Sequence, residues 1–590
     1  RSVKLKVNKL TSTKAQLPLD YYNFPFCAPV DGPETENENL GEFLAGDRIH
    51  SSPYVIYMKQ DMYCEHLCKS HLGRPESQEE TKGMYRPRKS LNKVIRAIHL
   101  NYHNNWIVDN LNSASKVENE DQIMTKYFQG FPIGYLDKQT NQAYIHNHVN
   151  IEIMYHKDET DLSGKSFRIV RFTVEPFSIH HDADFTNEPT GNHEVQSDNY
   201  LPLVAKIVNP VRSCDHNYAK KEHTTYEMIT EDGKHEPQPA HGQVLFTYDV
   251  IWTENSDINW ASRWDIYLKT KAPGKVHWES ILFSLLLCII LSAMIALILV
   301  RNLRRDLARY NKLATDEEKE EELEEFGWKL VHADVFRPPP EESHYPMWLA
   351  VFAGTGAQLT CMAFLTIFIS ALHMISPRNR GALVTTEMTL FVLMGMIGGY
   401  VTGRLYKLMG GKSFEMSAIW TAFFFPGIAF LFFFILNIVA WKNESTDQVP
   451  FTTMLLLIFL WFGISTPLVF FGAMQGFKAP EMEFPVHTSQ IARPIPEQPW
   501  FMQDAYIILL GGILPFGSCF VEMYYILASI WMEYYYAVFG FLFLVFAILL
   551  LTCAEITILF TYYQLCGEDY QWWWRSFAVG GSTAIYVFLY

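Results

Sequence analysis

Three carboxylates stand where carboxylates are costly. Glu387 (LVTTEMTLF), Glu522 (CFVEMYYIL) and Glu555 (TCAEITILF) each interrupt an apolar run in the second half of the chain. A charged side chain at the centre of a bilayer costs at least about 2.5–3.5 kcal/mol unless it is paired, protonated or wet. Such a group can serve an ion, a proton or the polar residue of another helix. It can also simply hydrogen-bond to Thr, Tyr or backbone of its neighbour, and both readings stay open. Glu522 is the strongest candidate because it follows a helix breaker, Gly511-Gly512-Ile513-Leu514-Pro515-Phe516-Gly517, in the long run 501–531. Pro515 removes one backbone bond and the glycines soften the turn, so a kinked or broken helix is expected there. Broken helices near the midplane mark binding sites in transporters, although a kink can serve packing alone.

Gly395, Gly399 and Gly403 fall four apart in MGMIGGYVTGRLY and make a flat stripe that admits a close neighbour. The expected neighbour is the chain's own next helix; a lateral groove for a foreign helix is the alternative. The polar short loops hold Arg493, Glu497 and Trp500 in QIARPIPEQPW, and Trp572, Trp573, Trp574 and Arg575 in EDYQWWWRSF. The tryptophans fit an interfacial aromatic belt. No nucleophile stands beside a base, and no GxSxG, HExxH or phosphate-loop motif occurs. Enzymatic activity has no positive support, and no cofactor is expected.

The elements that must position these residues are membrane spans. From Ile281 to Val300 no charge occurs, and further apolar runs follow to Tyr590. A bilayer core about 30 Å thick takes about 20 helical residues to cross, and in lipid only helices or closed barrels satisfy the backbone. The expected spans are 279–300, 347–372, 382–403, 415–440, 451–474, 501–531 and 535–563, with an eighth starting at 576 and unfinished at 590, so that more protein is expected to follow. With the soluble domain outside, the inside loops 301–346, 404–414, 475–500 and 564–575 hold 14 Lys and Arg against 3 in the outside loops 373–381, 441–450 and 532–534. That asymmetry orients the bundle. Asn443-Glu444-Ser445 is a glycosylation acceptor in an outside loop, although it lies close to the membrane.

Residues 1–275 are polar and mainly β. Val244–Trp252 and Asn150–Tyr155 alternate with period two; Ser166–Val174 and Leu201–Val208 are strand-like, and a sandwich is expected. Ser90–Leu111 is predicted as a helix with Trp106 in its last turn. Cys27, Cys64, Cys68 and Cys214 are disulfide candidates with three possible connectivities, favoured over a zinc site because no second pair follows Cys64 and Cys68 at ligand spacing. His146 and His148 share a strand face near His180-His181; zinc is conceivable there, and solvent exposure is the expectation. The net charge of −15, without a basic patch, argues against a nucleic-acid partner.

At the loop motifs the chain resembles a known family. KLTSTKAQLPLDYYNFPFC (Lys9–Cys27), GDRI (Gly46–Ile49), SDINWASRWDIYL (Ser256–Leu268), GWKLVHADVFRPP (Gly327–Pro339), IPEQPW, GGILPFG and CGEDYQWWWR (Cys566–Arg575) together resemble the nonaspanins, the transmembrane 9 superfamily, with the subgroup of the fourth human paralogue nearest in pattern. The resemblance implies a multi-pass α-helical bundle of nine spans, eight of them visible here, preceded by a lumenal β-sandwich-like domain behind a cleaved signal peptide. It implies a cytosolic tail, not present in this sequence, that binds coat proteins. It implies residence in Golgi and endosomal membranes with some protein at the plasma membrane. Members are associated with surface delivery of proteins whose spans are glycine-rich or charged, and with adhesion and phagocytosis. The expectation is a sorting receptor or membrane chaperone in the bilayer. In this reading Glu522 or Glu387 meets a polar client group, and Gly395, Gly399 and Gly403 permit close approach. A secondary transporter using a polar site around Glu522 and a lectin-like adhesion receptor are the competing expectations.

Overall fold

The computed structural model describes residues 2–15, 17–36, 39–72, 87–117, 126–157, 167–181, 237–258, 260, 263, 278–310, 330–339, 345–372, 374–375, 381–531 and 539–590. The chain divides into two units. One comprises 1–272 with 377–384 and 433–453; the other comprises 273–376, 385–432 and 454–590.

Among the described residues the first unit holds four sheets, two large and two small. A six-stranded mixed sheet runs in the order Met62–Leu72, Gly242–Glu254, His148–Lys157, Phe167–Phe177, Ala114–Val117, Lys126–Gln129. The pairing of His148–Lys157 with Gly242–Glu254 is parallel, aligning Ile151 with Val250; Phe167–Phe177 lies antiparallel on its other side and sets Ile153 beside Phe172. Val244 to Val250 are all buried, as a central strand covered on both faces requires. A second, antiparallel sheet orders His50–Tyr57, Ser2–Val7, Trp106–Val108 and Leu111–Asn112. One core joins both sheets: Leu5, Val7, Ile56 and Trp106 from the second share it with Ile151, Phe172 and Val244 of the first. Tyr54 meets Tyr248 edge-on at 5.1 Å between ring centroids. Tyr248 Oη donates to Val55 O at 3.1 Å.

Three expectations for this region change. The predicted helix over Ser90–Leu111 is shorter: α2 (Pro87–His99), which follows the single-turn α1 (Leu40–Leu44), stops before Asn101, whose φ of 54° is left-handed. Beyond it Tyr102, Asn104, Trp106 and Val108 are buried in short strands, so Trp106 is a core residue and not a helix end. His148 is completely buried and not exposed; Leu201–Val208 lies outside the described residues. Cys27 is bonded to Cys68 with Cα atoms 5.8 Å apart; Cys64 is also disulfide-bonded, and Cys214 lies outside the described residues.

Ten α-helices follow among the described residues. They are α3 (Trp278–Tyr310), α4 (Tyr345–Ala371), α5 (Ala382–Leu408), α6 (Phe414–Lys442), α7 (Phe451–Phe459), α8 (Thr466–Lys478), α9 (Asp504–Trp531), α10 (Phe539–Cys566), α11 (Trp572–Gly581) and α12 (Thr583–Leu589). A π-helical turn, Leu460–Ser465, joins α7 to α8 into one span. Among the described residues seven helices are long and apolar enough to cross a membrane. The eighth apolar run starts earlier than expected, at Trp572, and is split in two at Ser582.

Of the kinked or broken helix expected in the sixth span, the break is absent. α9 is one helix through Pro515, and the Pro515 carbonyl accepts from the Ser518 hydroxyl at 2.8 Å. Its glycines serve an approach instead. A Cβ at Gly511 would lie 2.6 Å from a Val579 methyl, and one at Gly512 2.7 Å from Ser582 and from the Thr583 amide. The discontinuity therefore belongs to α11 and α12, and Gly511 and Gly512 are flat where it rests. Gly517 faces open space.

Candidate functional site

Two of the three membrane carboxylates meet the first span. On α3, Ser284, Cys288 and Ser292 recur at helical spacing and turn a polar seam toward α9 and α10, with Ser284 and Cys288 buried. The Ser284 hydroxyl donates to Glu522 Oε1 on α9. The Ser292 hydroxyl lies 2.5 Å from Glu555 Oε1 on α10. Glu522 is 2% exposed, and Cys519 one turn before it is equally buried. The seam thus recognises its own docking helix by hydroxyl donors set against acceptors that lipid cannot satisfy.

Glu387 belongs to neither pair. It stands half-buried on α5, with no hydrogen-bond or ion-pair partner among the described residues. So the three acids do not form one site: Glu522 and Glu555 share the α3 seam, and Glu387 is separate.

The glycine stripe of α5 is occupied. A Cβ at Gly399 would lie 2.1 Å from the Val469 carbonyl oxygen, and one at Gly403 2.5 Å from that of Ala473. Gly395 faces Val469 and Ser465, and from α8 Gly472 presses on Met396 in return. The stripe is filled by the chain's own fifth span and offers no free face for a foreign helix. One step round α5, Gly398 packs against Gln358 of α4, whose Nε2 donates to Phe391 O at 2.8 Å.

The short-loop motifs form a second constellation within the bundle unit. Trp572 and Trp573 donate through their indole N–H groups to Val335 O at 2.8 Å and Arg337 O at 2.9 Å. Arg337 holds Asp334 and donates to Ser489 O at 2.6 Å. Arg493 pairs with Glu568 at 3.5 Å, and Gln498 donates to Gly567 O at 2.7 Å. Lys407 caps the end of α8 through Phe477 O and Ala479 O. Buried Arg575 pairs with Asp569 at 3.1 Å and Asp504 at 3.2 Å. Glu497 and Trp500 are exposed and carry none of this. The four loops with excess positive charge are therefore knitted to one another. Trp572 and Trp573 are hydrogen-bonded rivets of that knot as much as a membrane belt, whereas the Trp574 indole N–H has no hydrogen-bond partner among the described residues.

The first unit has its own clasp. The loop after α6 lies along the N-terminal domain: Ser445 Oγ and the Thr446 amide both donate to Pro18 O, at 2.8 and 3.1 Å. Arg48 donates to Gln448 O at 2.6 Å, and Lys93 pairs with Glu444 at 3.3 Å. Gly46 (φ 71°) lies so near Asp447 that a Cβ would fall 2.1 Å from its carboxylate. Gly381 is similarly close to the amide of Glu42 in α1. Loop 441–450, which carries little positive charge, thus contacts the domain at the motifs LPLDYYNF and GDRI, and Gly381 contacts it at α1. Burial alone would raise the Asp20 carboxyl; the His50 ring 3.5 Å away, the Tyr22 amide and the Arg48 charge hold it below its ordinary value. Asn443 is exposed, whereas the sequon hydroxyl of Ser445 is buried against Pro18.

The domain also buries histidine. His148 Nδ1 is 2.8 Å from Thr247 Oγ1, which is 3.0 Å from His181 Nε2. His146 Nδ1 is 3.0 Å or less from one acceptor, the Pro132 carbonyl, at 2.9 Å. Burial drives the His146 imidazole down to about 4 despite that bond, with His103 adding to the fall. No group of three or more His, Cys, Asp or Glu poised to hold a metal occurs among the described residues.

Residue reasoning named Arg575 beside the tryptophans but missed its acids and the serines: Ser284, Ser292, Asp334, Asp504 and Asp569. The serines were legible as polar steps four and eight apart with Cys288 between them; the loop acids carried no signal beyond their motifs.

The comparisons with known proteins agree with this architecture. Residues 18–590 match the family described as Endomembrane protein 70. Transmembrane 9 superfamily member 10 of Arabidopsis thaliana is 43% identical over 592 residues, covering 99% of this chain and 85% of that protein. Member 4 of Homo sapiens is 40% identical over 599 residues, covering 100% and 85%. Member 2 of Mus musculus is 38% identical over 607 residues, covering 100% and 83%. No solved structure matches the chain. A multi-pass membrane bundle behind a sheet-rich domain, matched over nearly its whole length, places this chain in the Endomembrane protein 70 family, the transmembrane 9 superfamily.

Proposed function

We propose that this protein is an endomembrane sorting receptor, or membrane chaperone, for proteins with glycine-rich or charged spans, and that it promotes their delivery to the cell surface. In this reading it works in Golgi and endosomal membranes with some protein at the plasma membrane, its N-terminal domain lumenal, and contributes to adhesion and phagocytosis. A cytosolic tail beyond this sequence binds coat proteins.

The observation that supports it best is Glu387. Two membrane acids are matched by serines of the chain's own first span, and the third has no partner among the described residues. A client span with Ser, Asn or a basic group satisfies Glu387 as Ser284 satisfies Glu522. The close approach formerly assigned to Gly395, Gly399 and Gly403 plays no part, because α8 fills that stripe. One interhelical hydrogen bond in a membrane contributes about 0.6–1.7 kcal/mol. E387L should therefore lower co-purification of a reporter with a polar span about three- to twentyfold and leave an all-leucine reporter unchanged. Equal capture by wild type and E387L removes the residue from the mechanism. E522A also weakens capture in this account, by undocking α3.

A second reading, a secondary transporter, draws on the discontinuous α11 and α12 packed at Gly511 and Gly512. It requires substrate flux in reconstituted vesicles that E522Q abolishes.

A further inference from the structure

Where the loop after α6 closes on the N-terminal domain it leaves a cavity of about 310 Å³. Asp20, Arg48, Trp441, Glu444 and Thr446 line it, with Asn23 beside them. Three features distinguish it from a packing gap. Its lining carries charges of both signs, one guanidinium and two carboxylates, within one small volume. Trp441 is 74% exposed and ends the apolar stretch of α6 just before Lys442, which is the interfacial position for an indole. Thr446 is 3% exposed, and its hydroxyl has no hydrogen-bond partner among the described residues.

These features select a ligand by elimination. An apolar group would strand the Thr446 hydroxyl and desolvate three charges. A simple anion would face Asp20 and Glu444; a simple cation would face Arg48. A zwitterion with its two charges a few ångströms apart satisfies the whole lining. We infer that the cavity binds a phosphate-linked ammonium group, the headgroup chemistry of phosphocholine and phosphoethanolamine. Arg48 supplies the positive charge for the phosphate. The carboxylates and the face of Trp441 receive the ammonium, as aromatic rings receive quaternary nitrogen elsewhere. Thr446 donates to a phosphate oxygen. The source is a phospholipid of the adjacent leaflet or a soluble headgroup ester, and the site stands independently of the client-binding reading.

The test uses the full chain purified in a maltoside detergent. Loaded in turn with phosphatidylcholine, phosphatidylethanolamine and phosphatidylglycerol, it is examined by native mass spectrometry; phosphocholine, choline and inorganic phosphate are titrated separately against its thermal midpoint. The zwitterionic lipids should be retained at least tenfold better than phosphatidylglycerol. W441A and T446V should erase most of that preference, and T446V exchanges only the hydroxyl for a methyl group of similar size, so it carries the test if W441A folds poorly. A saturable response to phosphocholine that T446V weakens identifies the soluble group as a sufficient ligand. Retention of lipid without that response identifies the bilayer as the source. Equal retention of phosphatidylglycerol, or a preference untouched by both substitutions, overturns the assignment.

Discussion

Trp106, Phe131 and Phe172 in the N-terminal domain are at most 2% exposed and fill its core with rings and branched chains, whereas the seam between α5 and α8 is made of Gly399, Gly403, Gly472 and Gly476 against bare backbone, with Gly395 against Val469 and Ser465. The difference follows the solvent. In water, burying a large apolar side chain is the main driving force. In lipid the tails are as apolar as leucine, so helices gain by close backbone approach and by shared polar groups instead. Polar groups divide the same way. The domain encloses a His148–Thr247–His181 chain in a packed core; within the spans, Glu522 and Glu555 meet the serines of one helix.

The contrast breaks most visibly in the ring core. W106A should remove about 3–5 kcal/mol, the usual loss for a large buried aromatic, seen as a lowered unfolding midpoint of the full chain with the helical content of the bundle retained. A pH dependence comes next. The His146 imidazole, lowered to about 4 in the fold, is neutral in both states above its ordinary value of 6.5. As pH falls below 6.5 the unfolded chain takes the proton first, so stability declines from about 6.5 to about 4 and then levels. The decline is at most about 3.4 kcal/mol at 1.36 kcal/mol per pH unit. H146Q should flatten that part of the thermal midpoint profile; a profile identical to wild type would refute the assignment.

In the bundle, G399A drives a methyl into the Val469 carbonyl and should cost about 1–3 kcal/mol as overpacking. G517A, with open space around it, should be neutral. Equal effects of the two on detergent stability would contradict a seam of glycines. The smallest effect belongs to the exposed Lys93–Glu444 pair: K93A should cost no more than about 1 kcal/mol.

Much of the architecture was legible because its signals are long. Runs of about 20 apolar residues mark the spans, and the loop motifs mark the family. Local signals that tertiary structure overrode were not legible. Ser90–Leu111 carries a helical stripe, but Asn101 turns the chain and Trp106 joins a sheet whose partner strand, Ser2–Val7, lies about a hundred residues away. Pro515 reads as a break, yet α9 runs through it, and the glycines before it are packed against Val579, Ser582 and Thr583. The candidate site was half legible. The acids stood out by their cost in lipid, but only coordinates could show that serines of α3 answer two of them and leave Glu387.

The account depends on the proposed sidedness, in which the N-terminal domain, contacted by Gly381 and residues 444–448, is lumenal and the loops around Trp572, Trp573 and Arg575 are cytosolic. Single cysteines at two exposed positions, Val30→Cys in the domain and Ile491→Cys in the knot, can be labelled in sealed microsomes with an impermeant maleimide. Ile491→Cys should label at once and Val30→Cys only after the membrane is permeabilised. Labelling of both from the same side, or of Val30→Cys alone, would contradict it.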